Sequence, residues 1–131
     1  MLILSTNIHE IDGVIIYRFS SGLFFANAKV LVRDIEDHLK HDTKAVIIDA
    51  GAIGSIDITG ADSIESLYRS LKQKGVKLYI TEHIAELNEQ LRKLGLGYLI
   101  EQGCVRRTIH IALKDMGINR PYPLEGGVAH L

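Results

Sequence analysis

The 131-residue chain is short of cysteine, proline, tryptophan and net charge, and each shortage removes a class of protein. Its single cysteine, Cys104, has no partner for an internal disulfide, which excludes a cross-linked secreted scaffold and fits a reducing compartment. Fifteen basic residues against sixteen acidic ones supply no strong positive field, so neither nucleic acid nor a polybasic contact with lipid is expected. No apolar run approaches the roughly 18–20 residues of a spanning helix. The longest charge-free interior stretch, Phe19 to Ala28, is broken by Ser20, Ser21, Gly22 and Asn27, so this segment is not expected to insert into a membrane. Met1 to Asn7 has no basic region, and its apolar run is too short for a signal peptide. The remaining composition, 47% apolar and 24% charged, is that of an ordinary globular domain. At this length about two-thirds of the unfolded chain's surface is buried on folding, enough for one real core.

Two hydrophobic periods alternate along the chain. Val14-Ile15-Ile16-Tyr17-Arg18-Phe19 is β-branched and aromatic and reads as a strand. Ile8 to Ile11 reads as its partner, joined through Asp12-Gly13, a pair that tolerates positive φ in a two-residue hairpin. Leu23-Phe24-Phe25-Ala26 reads as a short buried strand, with Asn27 as the N-cap of a helix from Ala28. That helix carries Leu31, Val32, Ile35 and Leu39 on one face and is expected to end near His41. Ala45-Val46-Ile47-Ile48 is a continuous apolar run, as in a strand covered on both faces. After Asp49 and a glycine-containing loop, Ala61, Ile64, Leu67, Tyr68 and Leu71 form a helical stripe closed by Gly75. Val76 to Ile80 is the next strand. Leu87, Leu91 and Leu94 mark a helix stopped by Gly95; Ile109, Ala112, Leu113 and Met116 mark a last one stopped by Gly117. The segment 118–131 holds both prolines and is expected to be loosely ordered. This order predicts one α/β domain, a mainly parallel sheet of four to five strands with packed helices, opened by a hairpin.

Familiar chemical motifs are missing. There is no phosphate-binding G-x-x-x-x-G-K-[ST], and Gly51, Gly54 and Gly60 lack the spacing of a dinucleotide fingerprint. One cysteine and scattered histidines make no zinc set, so no metal is expected. His38 and His41 read as a solvated helix end, where histidine also suits the macrodipole. Cys104 reads as a small buried residue and Phe24-Phe25 as core. With no acid–base pair or nucleophile constellation, an enzyme is not expected.

The exception is Ser55-Ile56-Asp57-Ile58-Thr59-Gly60, between the carboxyl end of a buried strand and the start of a helix. In open α/β sheets ligands and partners bind at that edge. Unpaired amides of a first helical turn favour an anion, and a hydroxyl there can take phosphate. The same residues also read as plain capping. Asp57 or Thr59 can cap, and Thr59 with Asp62 resembles a capping box with Asp in place of Glu. If Thr59 is the cap, Thr59→Ala costs about 1 kcal/mol.

Three segments in order carry a resemblance: Gly13 to Phe19 with Leu23-Phe24-Phe25-Ala26-Asn27-Ala28, then Ala45 to Ala50, then Ser55 to Ala61. Together they resemble the STAS domain, named for sulphate transporters and anti-sigma-factor antagonists, over residues 8–117. The L-F-F-A-N-A box and the D-x-T-G-A form resemble the transporter branch. The resemblance implies a non-enzymatic regulatory and protein-interaction domain of a sulphate-permease-type anion transporter, on the cytoplasmic side of the membrane. It implies as partners the transmembrane part of the same transporter, cytoplasmic regulatory proteins, or both. It makes Ser55, Asp57, Ile58, Thr59 and Gly60 the partner-binding loop. The alternative is a free-standing antagonist in a phosphorylation switch. In that branch a serine directly after the motif aspartate is phosphorylated, but here the position is Ile58, which has no hydroxyl; Thr59 becomes the candidate phospho-acceptor. Weak nucleotide binding is the one ligand the resemblance adds, and it implies no other cofactor.

Overall fold

A computed structural model describes residues 6–19, 25–51, 56–82 and 85–119. The elements in order are β1 (Thr6–Ile11), β2 (Val14–Phe19), α1 (Phe25–His38), β3 (Ala45–Asp49), α2 (Ile58–Gln73) and β4 (Lys77–Thr81). They continue with α3 (Ala85–Lys93), α4 (Gly97–Glu101) and α5 (Ile109–Asp115). The strands lie side by side in the order β1-β2-β3-β4; β1 is antiparallel to β2, while β2, β3 and β4 are parallel. The α/β expectation holds, with four strands and a one-residue parallel bridge from Val105 to Ile80 on the outer edge of β4.

The hairpin forms where the sequence puts it, because Asp12 and Gly13 both take positive φ, at 50° and 83°. The turn also touches the next crossover: the Lys44 N–H donates to the Gly13 carbonyl at 2.8 Å. A Cβ on Gly13 would stand 3.0 Å from the Asp42 carbonyl, so glycine is required for closeness as well as for φ.

β3 is buried along its whole length, which explains its unbroken apolar run. On one face Ile15, Tyr17, Val46, Ile48, Leu78 and Ile80 pack against Leu31 and Ile35 of α1, Leu67 and Leu71 of α2, and Leu87 and Leu91 of α3. On the other, Val14, Ile16, Ala45, Ile47 and Tyr79 pack against Ile109, Ala112 and Leu113 of α5 and against Ile118. Ile118 is only 6% exposed, and its N–H closes the end of α5 onto the Leu113 carbonyl at 2.9 Å. Residues 120–131 lie outside the described residues. The end of α2 follows the sequence: Gly75 has φ +73°, and the Val76 N–H reaches back to Leu71 O at 2.8 Å, the bond that stops a helix in a left-handed cap.

Three local expectations are corrected. α1 begins at Phe25, so Phe25 and Ala26 are helical, not a strand, and Asn27 sits inside the first turn, not at its cap. The reason is periodic: in sequence Phe25 and Ala28 are three apart, and Leu31 and Val32 follow Ala28 by three and four, so the helical period wins over the short apolar run. Leu23 and Phe24 lie outside the described residues. α1 stops at His38, before His41. The five-residue α4 was not legible, because a single turn between Gly95 and Gly103 offers no period to read.

Leu67 is fully buried between α2 and the sheet. Leu67→Ala is expected to lower the unfolding free energy by about 2–5 kcal/mol, measured by urea denaturation, from lost transfer energy and the cavity left behind.

Candidate functional site at the start of α2

Because β2, β3 and β4 are parallel, all three end at one edge, and the crossover helices that return from them start there. Asp49 closes β3 and lies opposite Arg18 of β2 in the register. The Arg18 Nε donates to Asp49 Oδ2 at 2.8 Å, and Asp49 Oδ1 accepts from the Gly51 N–H at 2.9 Å. Asp49 is buried, so its charge needs these partners. The pair locks the strand ends from which the site loop departs.

Residues 52–55 lie outside the described residues, and Ser55, one of the expected site residues, lies with them. The chain is described again at Ile56, which is 7% exposed and fills the top of the core. Its N–H donates to the side-chain oxygen of Gln90 on α3 at 2.9 Å, across 34 positions of sequence. Asp57 follows in extended conformation (φ −96°, ψ −179°), and its Oδ1 accepts from the Gly60 N–H at 2.8 Å. Asp57 is therefore the cap. Thr59 is the second residue of α2, so the capping box with Asp62 does not form, and the cap cost expected of Thr59→Ala moves to Asp57.

The consequence for chemistry is direct. The Asp57 carboxylate already occupies the amide end of the helix, and its charge repels any phosphate arriving there. What the turn offers instead is an apolar knob: Ile58 is 67% exposed. Thr59 beside it is exposed, while Gly60 and Ala61 are buried and anchor the first turn. From Thr59 a groove of about 360 Å³ runs between α2 and α1, lined by Lys29, Val32, Asp62, Ser63 and Ser66. Val30, 36% exposed, also lies on α1. The expected residues Asp57, Ile58, Thr59 and Gly60 are thus contiguous on one turn; the first three are exposed, Asp57 also caps the helix, and Gly60 is buried.

Gln90, Arg18 and Asp49 position this turn, and the sequence reading missed all three. Arg18 and Asp49 each end an apolar run on adjacent strands, which is a readable sign of pairing. Gln90 gives no such sign, because its partner is a backbone amide brought near only by folding.

The other singled-out residues stand apart from the turn. The exposed His38 donates from Nδ1 to the Asp34 carbonyl of its own helix at 2.7 Å. Burial pushes the Cys104 thiol up from its ordinary value, against the pull of Lys77 and Lys72. Among the described residues no cluster of three histidine, cysteine or acidic side chains is placed to hold a metal, and no described helix is long and apolar enough to cross a membrane.

Two outcomes check the turn. Asp57→Ala is expected to cost about 0.5–2 kcal/mol in urea unfolding, while Thr59→Ala stays within about 0.5 kcal/mol of the parent. Gln90→Leu leaves the Ile56 amide buried without an acceptor; it should cost about 1–3 kcal/mol and speed hydrogen exchange at that amide.

The geometry has counterparts. The protein "Probable sulfate transporter 3.4" of Arabidopsis thaliana is 27% identical over 95 residues, covering 64% of this chain and 14% of that protein. This chain therefore spans only a small part of the curated relatives it matches. The murine Solute Carrier 26 family member A9 anion transporter, in its inward-facing state, superposes with a TM-score of 0.73 at 21% identity, over 83% of this chain and 18% of the transporter. An anti-sigma factor antagonist from Mycobacterium paratuberculosis superposes with a TM-score of 0.67 at 18% identity, over 86% of this chain and 93% of the antagonist. At these identities the two solved structures show a shared fold. The family model described as STAS domain matches residues 5–112, far more than half of the chain. STAS domains are regulatory and interaction modules. A hairpin-opened parallel sheet, a capped turn at its carboxyl edge and that match agree: the chain belongs to the STAS domain family.

Proposed function

We propose that the chain is the regulatory and protein-interaction domain of a sulphate-permease-type anion transporter, working at the cytoplasmic face through the turn Asp57 to Gly60 and the groove beside it. The observation that carries this reading is Ile58, an isoleucine 67% exposed where the antagonist branch presents its phosphorylated serine. An exposed isoleucine at a capped helix start is an apolar anchor that a partner surface can cover. It cannot be phosphorylated. Similarity in sequence to a probable sulfate transporter supports the same context, with the transmembrane part of the transporter or a cytoplasmic regulator as the surface that meets Ile58.

A second reading, a free-standing antagonist, is favoured by the superposition over 93% of an antagonist chain and by the exposed hydroxyl-bearing Thr59 next to Ile58. One pair of measurements separates them. In the native host, Ile58→Asp is expected to slow uptake of labelled sulphate about fivefold or more, as loss of an interface anchor does, while the urea midpoint of the purified chain stays unchanged. Unchanged uptake, together with stoichiometric phosphate on Thr59 after incubation with a kinase-type anti-sigma factor, overturns the transporter reading in favour of the antagonist.

A further inference from the structure

The opposite, amino-terminal edge of the sheet carries a second site. Along β4 the backbone groups point alternately to the two sides. Lys77 and Thr81 face β3: the Lys77 N–H donates to Lys44 O at 3.0 Å, and the Thr81 carbonyl accepts from Ala50 at 2.7 Å. Ile80 faces the outer edge, where its N–H donates to the Cys104 carbonyl at 2.7 Å and its carbonyl accepts from the Arg106 N–H at 3.0 Å. Leu78, two residues earlier, faces the same outer edge. There no described residue pairs with its N–H or its carbonyl, because the chain before Cys104 turns away: Gly103 has φ +78° and its N–H donates to the Ile100 carbonyl at 3.1 Å.

The space left beside Leu78 is a pocket of about 260 Å³. Val76, Leu78 and Cys104, all buried, give it an apolar lining, and Tyr68 forms one wall. Tyr68 is held in place by a hydrogen bond from its hydroxyl to Gln102. Lys72, Lys77 and Gln102 complete the lining; both lysines are exposed, and neither has a carboxylate partner among the described residues. The Lys72 Nζ stands 5.6 Å from the ring centre of Tyr68 in the pocket wall, and the Lys77 Nζ stands 5.1 Å from that of Tyr79, which packs on the other face of the sheet. Both charges reach the thiol at its base, where they oppose the upward push of burial on Cys104. A buried strand amide with no partner among the described residues calls for an acceptor, and two exposed lysines that line the same pocket without a carboxylate partner favour negative charge.

We propose that this pocket binds a small organic oxyanion, a carboxylate or phosphate on an apolar body. Lys72 and Lys77 supply the charge, the Leu78 N–H the directed hydrogen bond, and Val76, Leu78 and Cys104 the apolar contact. The volume is below that of usual cofactor pockets and suits a ligand of one ring, not a dinucleotide. The site lies at the far end of β4 from the carboxyl edge and so stands independently of the transporter reading.

The test is a titration of the full 131-residue chain, followed by amide resonances, with phenyl phosphate and benzoate as the two oxyanion probes and with inorganic phosphate and phenol as half-probes. Saturable shifts at Leu78 and Cys104 with at least one oxyanion probe are expected, with either half-probe about tenfold weaker or more. The double variant Lys72→Gln/Lys77→Gln, exposed at both positions, should keep its melting curve and lose about tenfold in affinity. A flat response to both probes up to about 20 mM overturns the site. So do equal binding of inorganic phosphate alone, undiminished binding by the folded double variant, or shifts confined to Ile58 and Thr59.

Discussion

Burial of β3 on both faces is the constraint from which the rest of this structure follows. A strand with no solvent side needs packing above and below it, here from helices, and reaching a parallel neighbour takes a crossover instead of a hairpin. Those crossovers make β2, β3 and β4 parallel and bring the starts of the returning helices to one edge. The Arg18–Asp49 pair ties two strand ends together at that edge at 2.8 Å. Its role is positional: without Arg18 the buried Asp49 carboxylate would lose its cation, and together they fix where the loop toward α2 begins.

The turn before α2 shows how a helix start can be closed to one chemistry and open to another. An uncapped start favours anions through its free amides and its dipole. Here Asp57 supplies that negative charge from within the chain, and Gln90 takes the amide of Ile56. The Ile56 and Gly60 amides are met internally, and the exposed isoleucine between them is the apolar feature presented to a partner. A surface of this kind gains its affinity by covering apolar area, and its rigidity limits the ordering cost of doing so.

At the other end of the sheet the situation is reversed. The Leu78 amide has no partner among the described residues, Lys72 and Lys77 have no carboxylate partner there, and the buried groups around them are apolar. One domain thus has a capped turn with an apolar knob at one edge and an apolar pocket lined by two lysines at the other. The first suits a protein surface and the second a small anion.

The sequence by itself determined most of the architecture. The unbroken run Ala45 to Ile48 demanded a covered strand, Asp12-Gly13 demanded a hairpin, and the stripes ending at Gly75 and Gly117 demanded helices that stop there. It also located the candidate turn, since a loop between a buried strand and a helix start must lie at the carboxyl edge. Local pattern failed where two readings competed over a few residues, at Phe25 and Ala26, where the helical stripe won, and at α4, too short to show a period. It left open whether Asp57 or Thr59 caps α2, because both side chains offer an oxygen and only the backbone conformation at Asp57 selects one. Gln90 on Ile56 and the unpaired edge at Leu78 were decided by tertiary structure alone. Each depends on which distant segment arrives beside a given backbone group or charge, and packing fixes that.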